Sequence, residues 1–220
     1  MSDRERKSLL YEQFARMGKA LANPLRLELI DVLAQGERSV EDLATSCGWK
    51  LSNTSAQLKV LQYAGLLKAR RSGVKIFYRL ADPSVHAFVE SLKSMAADAL
   101  PDAEKAARDY LGDVEALHPL LQRRELAELM GRGEVVVLDV RPAEEFAAGH
   151  IDGAVSMPHD EVATRLAELP RDSLIVAYCR GRFCVMAPEA VRMLREAGFD
   201  ARLLVDGWPQ WHAEGLPVAS

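Results

Sequence analysis

The chain has 220 residues, a length that suits two modest domains, and its composition is typical of a globular protein. Its formal net charge of −4 argues against a protein that binds nucleic acid over its whole surface, and no apolar run approaches the length of a membrane span. Three cysteines and no signal peptide favour a cytoplasmic location, where permanent disulfides are uncommon.

The N-terminal part of the chain carries helical patterns. Residues 5–21 have an amphipathic pattern, and Asn23-Pro24 predicts the start of a second helix over Pro24–Leu33. Ser39, followed three residues later by Asp42, is similar to the capping box of a short third helix. The apolar side of the first helix should consist of Leu9, Leu10, Phe14, Met17 and Leu21.

A fourth helix is predicted from about Ser52, a favourable N-cap residue, to about Tyr63. Its opposite face is small, polar and basic and has no acidic residue, which suits insertion into a DNA groove. The face that should be buried carries Leu51, Thr54, Leu58 and Leu61.

Basic residues are concentrated around this helix. Between Leu43 and Ala81 there are seven lysines and arginines and no aspartate or glutamate. Two strand-like runs flank Arg71-Ser72-Gly73, which predicts a β-hairpin with a basic tip. Two helices followed by such a hairpin are typical of a winged helix-turn-helix domain. The candidate DNA-contacting residues are Ser52, Asn53, Ser55, Gln57, Lys59, Arg70, Arg71 and Lys75.

The segments KALANPLRLELIDVLAQGERSVEDLA and LSNTSAQLKVLQYAGLLKARRSGVKIFYRL resemble the ArsR/SmtB family of bacterial repressors. The resemblance covers roughly Leu9 to Leu100 and implies a homodimer that binds double-stranded operator DNA. It also implies that the dimer is joined through the first and last helices of the domain, here Leu9 to Leu21 and Val85 to Leu100. Gln57 stands where a histidine is common in the family, which changes the base contacts that the helix could make.

Many members of this family sense metals, through paired cysteines or through histidine and carboxylate ligands in the last helix. Here Cys47 stands alone on the apolar side of its helix, which favours packing over sensing. His86 has no second histidine near it in the last helix. We therefore expect no metal site and no cofactor.

The run LIVAYCRGRFCVMAPEA predicts an apolar strand, Leu174 to Tyr178, a six-residue loop, Cys179 to Cys184, and a helix with Pro188 in its first turn. A cysteine at the end of a buried strand, just before a helix, meets unpaired N–H groups and the positive end of the helix dipole. Arg180 and Arg182 add positive charge beside it. All three effects favour the thiolate, so we expect Cys179 to be a reactive cysteine with a low pKa.

Other interpretations of the loop cysteines are a pair of buried apolar side chains, a disulfide, or half of a metal site. Only Cys47, Cys179 and Cys184 are present, and no C-x2-C or closely spaced histidine pair completes a tetrahedral ligand set. The last two interpretations are therefore disfavoured.

The runs LDVRPAEEFAAGHIDGAVSMP and DGWPQWHAEGLPV resemble two signatures of the rhodanese family, and Cys179 stands where that family places its sulfur-carrying cysteine. The resemblance covers roughly Leu117 to Ser220 and implies an α/β domain with a central parallel sheet, in which Cys179 accepts a sulfane sulfur as a persulfide. Asp139 and Arg141 would hold the fold and the loop together rather than take part in chemistry.

The loop also departs from the family pattern. Many rhodaneses have serine or threonine where Cys184 stands, and a persulfide on one of two loop cysteines could be attacked by the other. Val185 stands where a phosphatase with a similar loop needs an arginine, which excludes phosphate-ester chemistry. The candidate site residues of this part of the chain are Cys179, Cys184, Arg180, Arg182, Asp139 and Arg141.

These patterns predict a winged helix domain for DNA binding and dimerisation over residues 1–100, a helical connector over 101–117 and a rhodanese-like domain over 118–220. The favoured function is a DNA-binding transcription regulator, a repressor by resemblance, that senses reactive sulfur from a sulfane-sulfur donor. The alternatives are a sulfurtransferase enzyme that uses the winged helix for dimerisation or targeting, and a rhodanese-like domain that acts only as a partner-binding scaffold.

Overall fold

All 220 residues are described by the computed structural model, which divides into two compact units, Met1–Ser91 and Leu92–Ser220. No helix in it combines the length and the apolar character that crossing a membrane requires.

The first unit is built from helices and one small antiparallel sheet with the strand order β1-β3-β2. Its elements are α1 (Asp3–Leu21), α2 (Pro24–Leu33), β1 (Arg38–Ser39), α3 (Val40–Ser46), α4 (Leu51–Tyr63), β2 (Leu67–Ser72), β3 (Lys75–Leu80) and the first half of α5 (Ser84–Ala99). Helix α2 has the predicted bounds, and α3 begins with reciprocal hydrogen bonds between Ser39 and Asp42, which confirms the predicted capping box. Cys47 packs, partly buried, against the core of this unit.

Three local predictions for this unit were wrong. Helix α4 begins at Leu51 and its N-cap is Lys50, so Ser52 lies inside the first turn and caps nothing. Leu51 is 49% exposed instead of buried. The backbone N–H and the hydroxyl of the buried Thr54 both donate to the Lys50 carbonyl, at 3.0 and 3.3 Å, which makes Lys50 the first residue drawn into the helix. In the hairpin Ser72 pairs with Lys75, so the tip consists of Gly73 and Val74 and not of Arg71-Ser72-Gly73. Gly73 has the positive φ, 59°, that a tight two-residue turn needs at its first position.

Helix α1 is exposed over nearly its whole length, since Met1 to Lys19 are all exposed and only Ala20 and Leu21 are buried. Except for Leu21, the apolar side predicted for it therefore faces solvent in the single chain. Phe14 is 61% exposed, and on α5 Phe88 is 53% exposed. Most of the stability of helices in proteins comes from packing of their apolar face, which α1 lacks in the single chain over most of its length.

The second unit contains a four-stranded sheet with the order β6-β4-β7-β8, in which every neighbouring pair is parallel. Its elements after α5 are α6 (Pro101–Leu111), α7 (Arg123–Gly131), β4 (Val135–Asp139), α8 (Ala143–Ala148), β5 (His150–Ile151), β6 (Val155–Ser156), α9 (Val162–Arg165), β7 (Leu174–Tyr178), α10 (Met186–Glu196), β8 (Ala201–Leu203), α11 (Trp208–Ala213) and β9 (Val218–Ala219). The expected fold class, a winged helix followed by an α/β domain with a parallel sheet, is confirmed.

Both faces of this sheet are covered, as is usual for parallel sheets. Ile175 and Ala177 of β7 belong to one apolar cluster together with Leu194 of α10. Val176 and Tyr178, the alternate residues, belong to a second cluster together with Trp211 of α11. The period of two along β7 therefore places α10 on one face and α11 on the other.

Helix α6 lies between α5 and the sheet domain in sequence and starts at Pro101, in the first turn, where a missing N–H costs little. Its last carbonyl, that of Leu111, accepts a hydrogen bond of 2.6 Å from Arg192 Nη2 on α10. Arg192 thus fixes the end of α6 to the helix that follows the cysteine loop.

Candidate functional site

The loop Cys179–Cys184 leaves the carboxyl end of β7, beside the carboxyl end of β4. Ligand sites in parallel sheets form at this edge, because the loops that leave neighbouring strands meet there. The backbone N–H of Val140, just past β4, donates to the Tyr178 carbonyl at 3.1 Å. The two loops are therefore tied together where each strand ends.

Asp139 and Arg141 form a fully buried ion pair under this edge. Arg141 Nε lies 2.9 Å from one carboxylate oxygen of Asp139 and 3.1 Å from the other, and Arg141 also donates to the Gly149 carbonyl at 2.8 Å. The Tyr178 hydroxyl donates to Asp139 at 2.5 Å, and burial raises the pKa of that hydroxyl. These contacts are structural in kind, and none of them reaches a cysteine.

Arg180 is held by a carboxylate that sequence reasoning did not single out. Glu145 on α8 is 1% exposed and binds Arg180 through two contacts, at 2.5 and 3.1 Å. The neighbouring Glu144 is exposed, so the sequence gives no signal that separates the two glutamates. Arg182 is exposed, and its guanidinium lies 5.6 Å from the centre of the Phe183 ring.

The segment Asp206 to Val218 closes over the loop from the other side. The Trp208 N–H donates to the Cys179 carbonyl at 3.1 Å. A Cβ atom on Gly207 would lie 2.3 Å from the backbone nitrogen of Gly181 and 2.4 Å from the Cys179 carbonyl oxygen. Only glycine fits there, so Gly207 is a second residue of the site whose role sequence reasoning missed.

The Cys179 thiol donates to the backbone carbonyl of Cys184 at 3.7 Å. The backbone N–H groups of Gly181 and Ala187 act to lower the pKa of Cys179. Those of Arg180 and Met186 act to lower the pKa of Cys184. Cys179 is 3% exposed, whereas Cys184 is half-buried.

Cys184, not Cys179, has the lowered pKa. The hydrogen bond from Cys179, helped by backbone N–H groups, lowers the pKa of Cys184 to about 7. Burial, followed by the hydrogen bond to Cys184, raises the pKa of Cys179 well above its usual value. Burial thus shifts the pKa of Cys179 upward, opposite to the direction expected from the sequence, because a buried thiolate loses its solvation.

A cavity of about 930 Å³ lies beside the loop. Both loop cysteines line it, and so do residues of α6 and the end of β8. The cysteine loop therefore forms part of the wall of a large, partly open cavity.

The predicted recognition helix α4 carries a chain of hydrogen bonds. Gln57 Oε1 accepts from Arg26 Nη1 at 2.9 Å, and Gln57 Nε2 donates to Asn53 Oδ1 at 3.2 Å. Arg26 was not singled out from the sequence, because it belongs to a different helix. Ser52 and Lys59 are exposed, whereas Asn53, Ser55 and Gln57 are half-buried.

The hairpin arginines differ in what they contact. Arg70 Nε donates to Glu37 at 2.7 Å, and the Arg70 guanidinium lies 4.7 Å from the centre of the Phe77 ring. Arg71 Nε donates to the Gly73 carbonyl at 3.0 Å, which places its head beside the tip. Lys75 is exposed at the start of β3. Arg70 is thus the one of these three held by an acidic partner.

One cluster of potential metal ligands forms in the first unit. His86 Nε2 lies 4.0 Å from Asp31 Oδ1 and 3.7 Å from Glu90 Oε1, and the three ligand atoms all lie within 4.8 Å of one another. Tetrahedral ligands about 2.0–2.1 Å from zinc are only about 3.3 Å apart, so the cluster is loosely spaced for that ion. The sequence did not indicate it because Asp31 lies on another helix.

Models of two known families match separate parts of the chain. A helix-turn-helix domain model matches residues 21–70, and a rhodanese-like domain model matches residues 122–214. The chain is 48% identical over 214 residues to the HTH-type transcriptional regulator Rv0324 of Mycobacterium tuberculosis, which covers 97% of this chain and 93% of that protein.

Two solved structures are similar to parts of the chain. The solution structure of a homodimeric winged helix-turn-helix DNA-binding domain from Mycobacterium bovis is 44% identical and covers 46% of this chain and 93% of that one, with a TM-score of 0.42. The rhodanese-like domain of an Anabaena protein is 30% identical and covers 47% of this chain and 80% of that one, with a TM-score of 0.43.

Proposed function

Because the chain belongs to the family of HTH-type transcriptional regulators, with an ArsR/SmtB-type winged helix and a C-terminal rhodanese-like domain, we propose that it is a homodimeric, DNA-binding repressor that responds to reactive sulfur. The observation that carries the second half of this proposal is the pair of contacting cysteines in one loop, both of which line the same cavity. A thiolate at neutral pH is the form that attacks sulfur.

The first step is attack by the Cys184 thiolate on the sulfane sulfur of a hydropersulfide donor, RSSH. The donor S–S bond breaks, RS⁻ leaves, and Cys184 becomes the persulfide Cys–S–SH. Cys184 acts first because it is more exposed than Cys179 and because its pKa is lowered. This order reverses the one implied by the rhodanese resemblance.

The second step is attack by Cys179 on the Cys184 sulfur that is bonded to Cβ. A Cys179–Cys184 disulfide forms, and the Cys179 proton leaves with the terminal sulfur as hydrogen sulfide. The two cysteines lose two electrons and the sulfane sulfur gains them, so no other oxidant is needed. The new bond would pull on the loop just before α10, a local change that can bias a two-state element elsewhere in the protein.

DNA binding is supported by the exposed residues Ser52, Lys59, Arg71 and Lys75, which belong to the stretch from Leu43 to Ala81 that has no acidic residue. A homodimer is supported by the exposed apolar side of α1 and by Phe88 on α5. A second copy of the chain would cover these side chains, and burying each Phe contributes roughly 1.5–3 kcal/mol.

The second candidate function is a sulfurtransferase, and the observation in its favour is the large cavity that reaches both cysteines. Two measurements on the same protein sample separate the candidates. The first is thiocyanate formation from thiosulfate and cyanide. The second is mass spectrometry of the loop peptide after exposure to sulfane sulfur. The repressor predicts persulfide and disulfide products without many turnovers. Sustained turnover with no lasting modification of either cysteine would favour the enzyme instead.

A further inference from the structure

The cavity beside the cysteine loop is far larger than an inorganic sulfur donor. Its volume of about 930 Å³ lies in the range of roughly 300–1,000 Å³ typical of pockets for drug-sized molecules. Thiosulfate, with five heavy atoms, would occupy only a small part of it. The space therefore fits a donor with a substantial organic group attached to its sulfur.

The walls of the cavity are largely apolar. One side is α6 and the segment after it, and the other is the cysteine loop with the end of β8. The apolar side chains that face it include Ala107, Leu111, Leu120, Phe183, Pro188 and Leu203. An alkyl group placed between these walls would leave water and gain the usual hydrophobic stabilisation.

The charged groups around the cavity disfavour a doubly negative donor. Carboxylates outnumber cations among its lining residues, which include Asp98, Glu104, Asp113 and Glu115 against Arg108 and Arg182. Arg108 is already bound to Glu104 at 2.5 Å, and outside this set Lys93 lies 5.4 Å from the Phe183 ring. A thiosulfate dianion would meet net negative charge on its way to the cysteines.

We propose that this cavity selects organic hydropersulfides with an apolar group of several carbons as sulfur donors, in preference to thiosulfate. The inference rests on the proposed function, since it assigns the donor class of the same cysteine pair. The apolar group would lie against α6 while the sulfane sulfur reaches Cys184.

The test measures the initial rate of persulfide formation on the loop peptide of the full chain by mass spectrometry. The donors are ethyl, butyl and hexyl hydropersulfide, generated in situ, and thiosulfate at the same concentration. Burial of each added methylene should raise the rate about twofold to fourfold along the alkyl series. Hexyl hydropersulfide should then react at least tenfold faster than thiosulfate.

A pair of variants on α6 locates the effect. Ala107 lines the cavity and Ala106 does not, although both lie on the same helix and Ala106 is exposed. Ala107→Trp should fill the space and abolish the dependence on chain length, whereas Ala106→Trp should behave as the unmodified chain. Glu115→Gln should raise the thiosulfate rate several-fold and leave the hexyl rate unchanged.

Equal rates for hexyl hydropersulfide and thiosulfate, or equal behaviour of the two tryptophan variants, would overturn the donor assignment alone. If no donor modifies either loop cysteine, the proposed function itself fails, and that outcome is distinct. A flat alkyl series with rapid thiosulfate reaction would assign the site to small anions.

Discussion

The candidate functional residues of the two units lie in opposite environments. In the winged helix unit, Met1–Ser91, they are largely exposed. The DNA-binding role proposed for Lys59, Arg71 and Lys75 follows from their positive charge. In the rhodanese-like unit Asp139, Arg141 and Glu145 are buried, and their roles depend on partners elsewhere in the chain. An exposed charge can be recognised from a sequence, whereas the role of a buried charge depends on what it is paired with.

The largest expected effect is on stability, from breaking the buried pair. Arg141→Met leaves the Asp139 carboxylate without its partner inside the protein, and such losses cost about 3–5 kcal/mol. Urea unfolding followed by far-ultraviolet circular dichroism, to which the helices of both units contribute, measures it. Arg70→Met, which breaks the exposed pair with Glu37, is the matched control and should leave the midpoint unchanged. Equal losses in both variants would remove the contrast between the units.

The next effect concerns the close contact at Gly207. Gly207→Ala places a methyl group against the backbone of the loop, so the loop must shift and the N–H groups around the sulfur atoms move with it. Alkylation of Cys184 at pH 7 should then slow by about tenfold or more, because its thiolate loses stabilisation. Gly131→Ala is the control, since a Cβ atom there meets nothing within 4 Å. Unchanged alkylation of Gly207→Ala would show that the loop does not depend on this contact.

A third prediction follows from the pKa of Cys184. A thiol reacts only when ionised, so the alkylation rate should fall as the pH drops through about 7 in the unmodified chain. Cys179→Ser should keep this profile, because the serine hydroxyl can still donate to Cys184. Cys184→Ser should shift the profile to higher pH, because the pKa of the remaining Cys179 is raised by burial. Peptide mapping separates both residues from Cys47. The reverse pattern would place the thiolate on Cys179, as the rhodanese resemblance implies.

The smallest effect concerns the hairpin and DNA. Each lysine or arginine that contacts a phosphate contributes about 0.9 to the slope of log K against log salt. Arg71→Ala and Lys75→Ala should each flatten that slope by about this amount. Arg70→Ala should flatten it less, because Glu37 already binds that guanidinium in the free protein. Anisotropy titrations at several salt concentrations measure the slope, and a larger change for Arg70→Ala than for Arg71→Ala would contradict the assignment.

Much of the fold could be predicted because its signals are local. Strand β7 and helix α2 begin and end at the predicted residues. The apolar run that indicates β7 and the Asn-Pro pair that indicates the start of α2 each span only a few neighbouring positions. Strand β1 was not predicted, because two residues are too short to show any period and its pairing with β3 is a long-range property. The start of α4 was also misplaced, because Thr54 bonds to the Lys50 carbonyl, which the preference of serine for the N-cap does not reveal.

The candidate site could be predicted only in part. The sequence indicated the cysteine loop and the basic hairpin, because each is a continuous motif. It did not indicate Glu145 or Gly207, which act through contacts with a loop some thirty residues away in sequence. It also gave no sign that burial raises the pKa of Cys179, because burial is a property of the folded loop.

The most direct test is DNA binding by the same protein before and after reaction of its cysteine pair. A DNA duplex is first selected from random sequences by binding to the reduced protein. It is then titrated with reduced protein and with protein treated with hexyl hydropersulfide. Mass spectrometry identifies the cysteine products in the treated sample. We expect the affinity to fall at least tenfold when the Cys179–Cys184 disulfide is present, to recover with dithiothreitol, and to stay unchanged in Cys179→Ser and Cys184→Ser. Equal affinity of the reduced and disulfide forms would contradict the account.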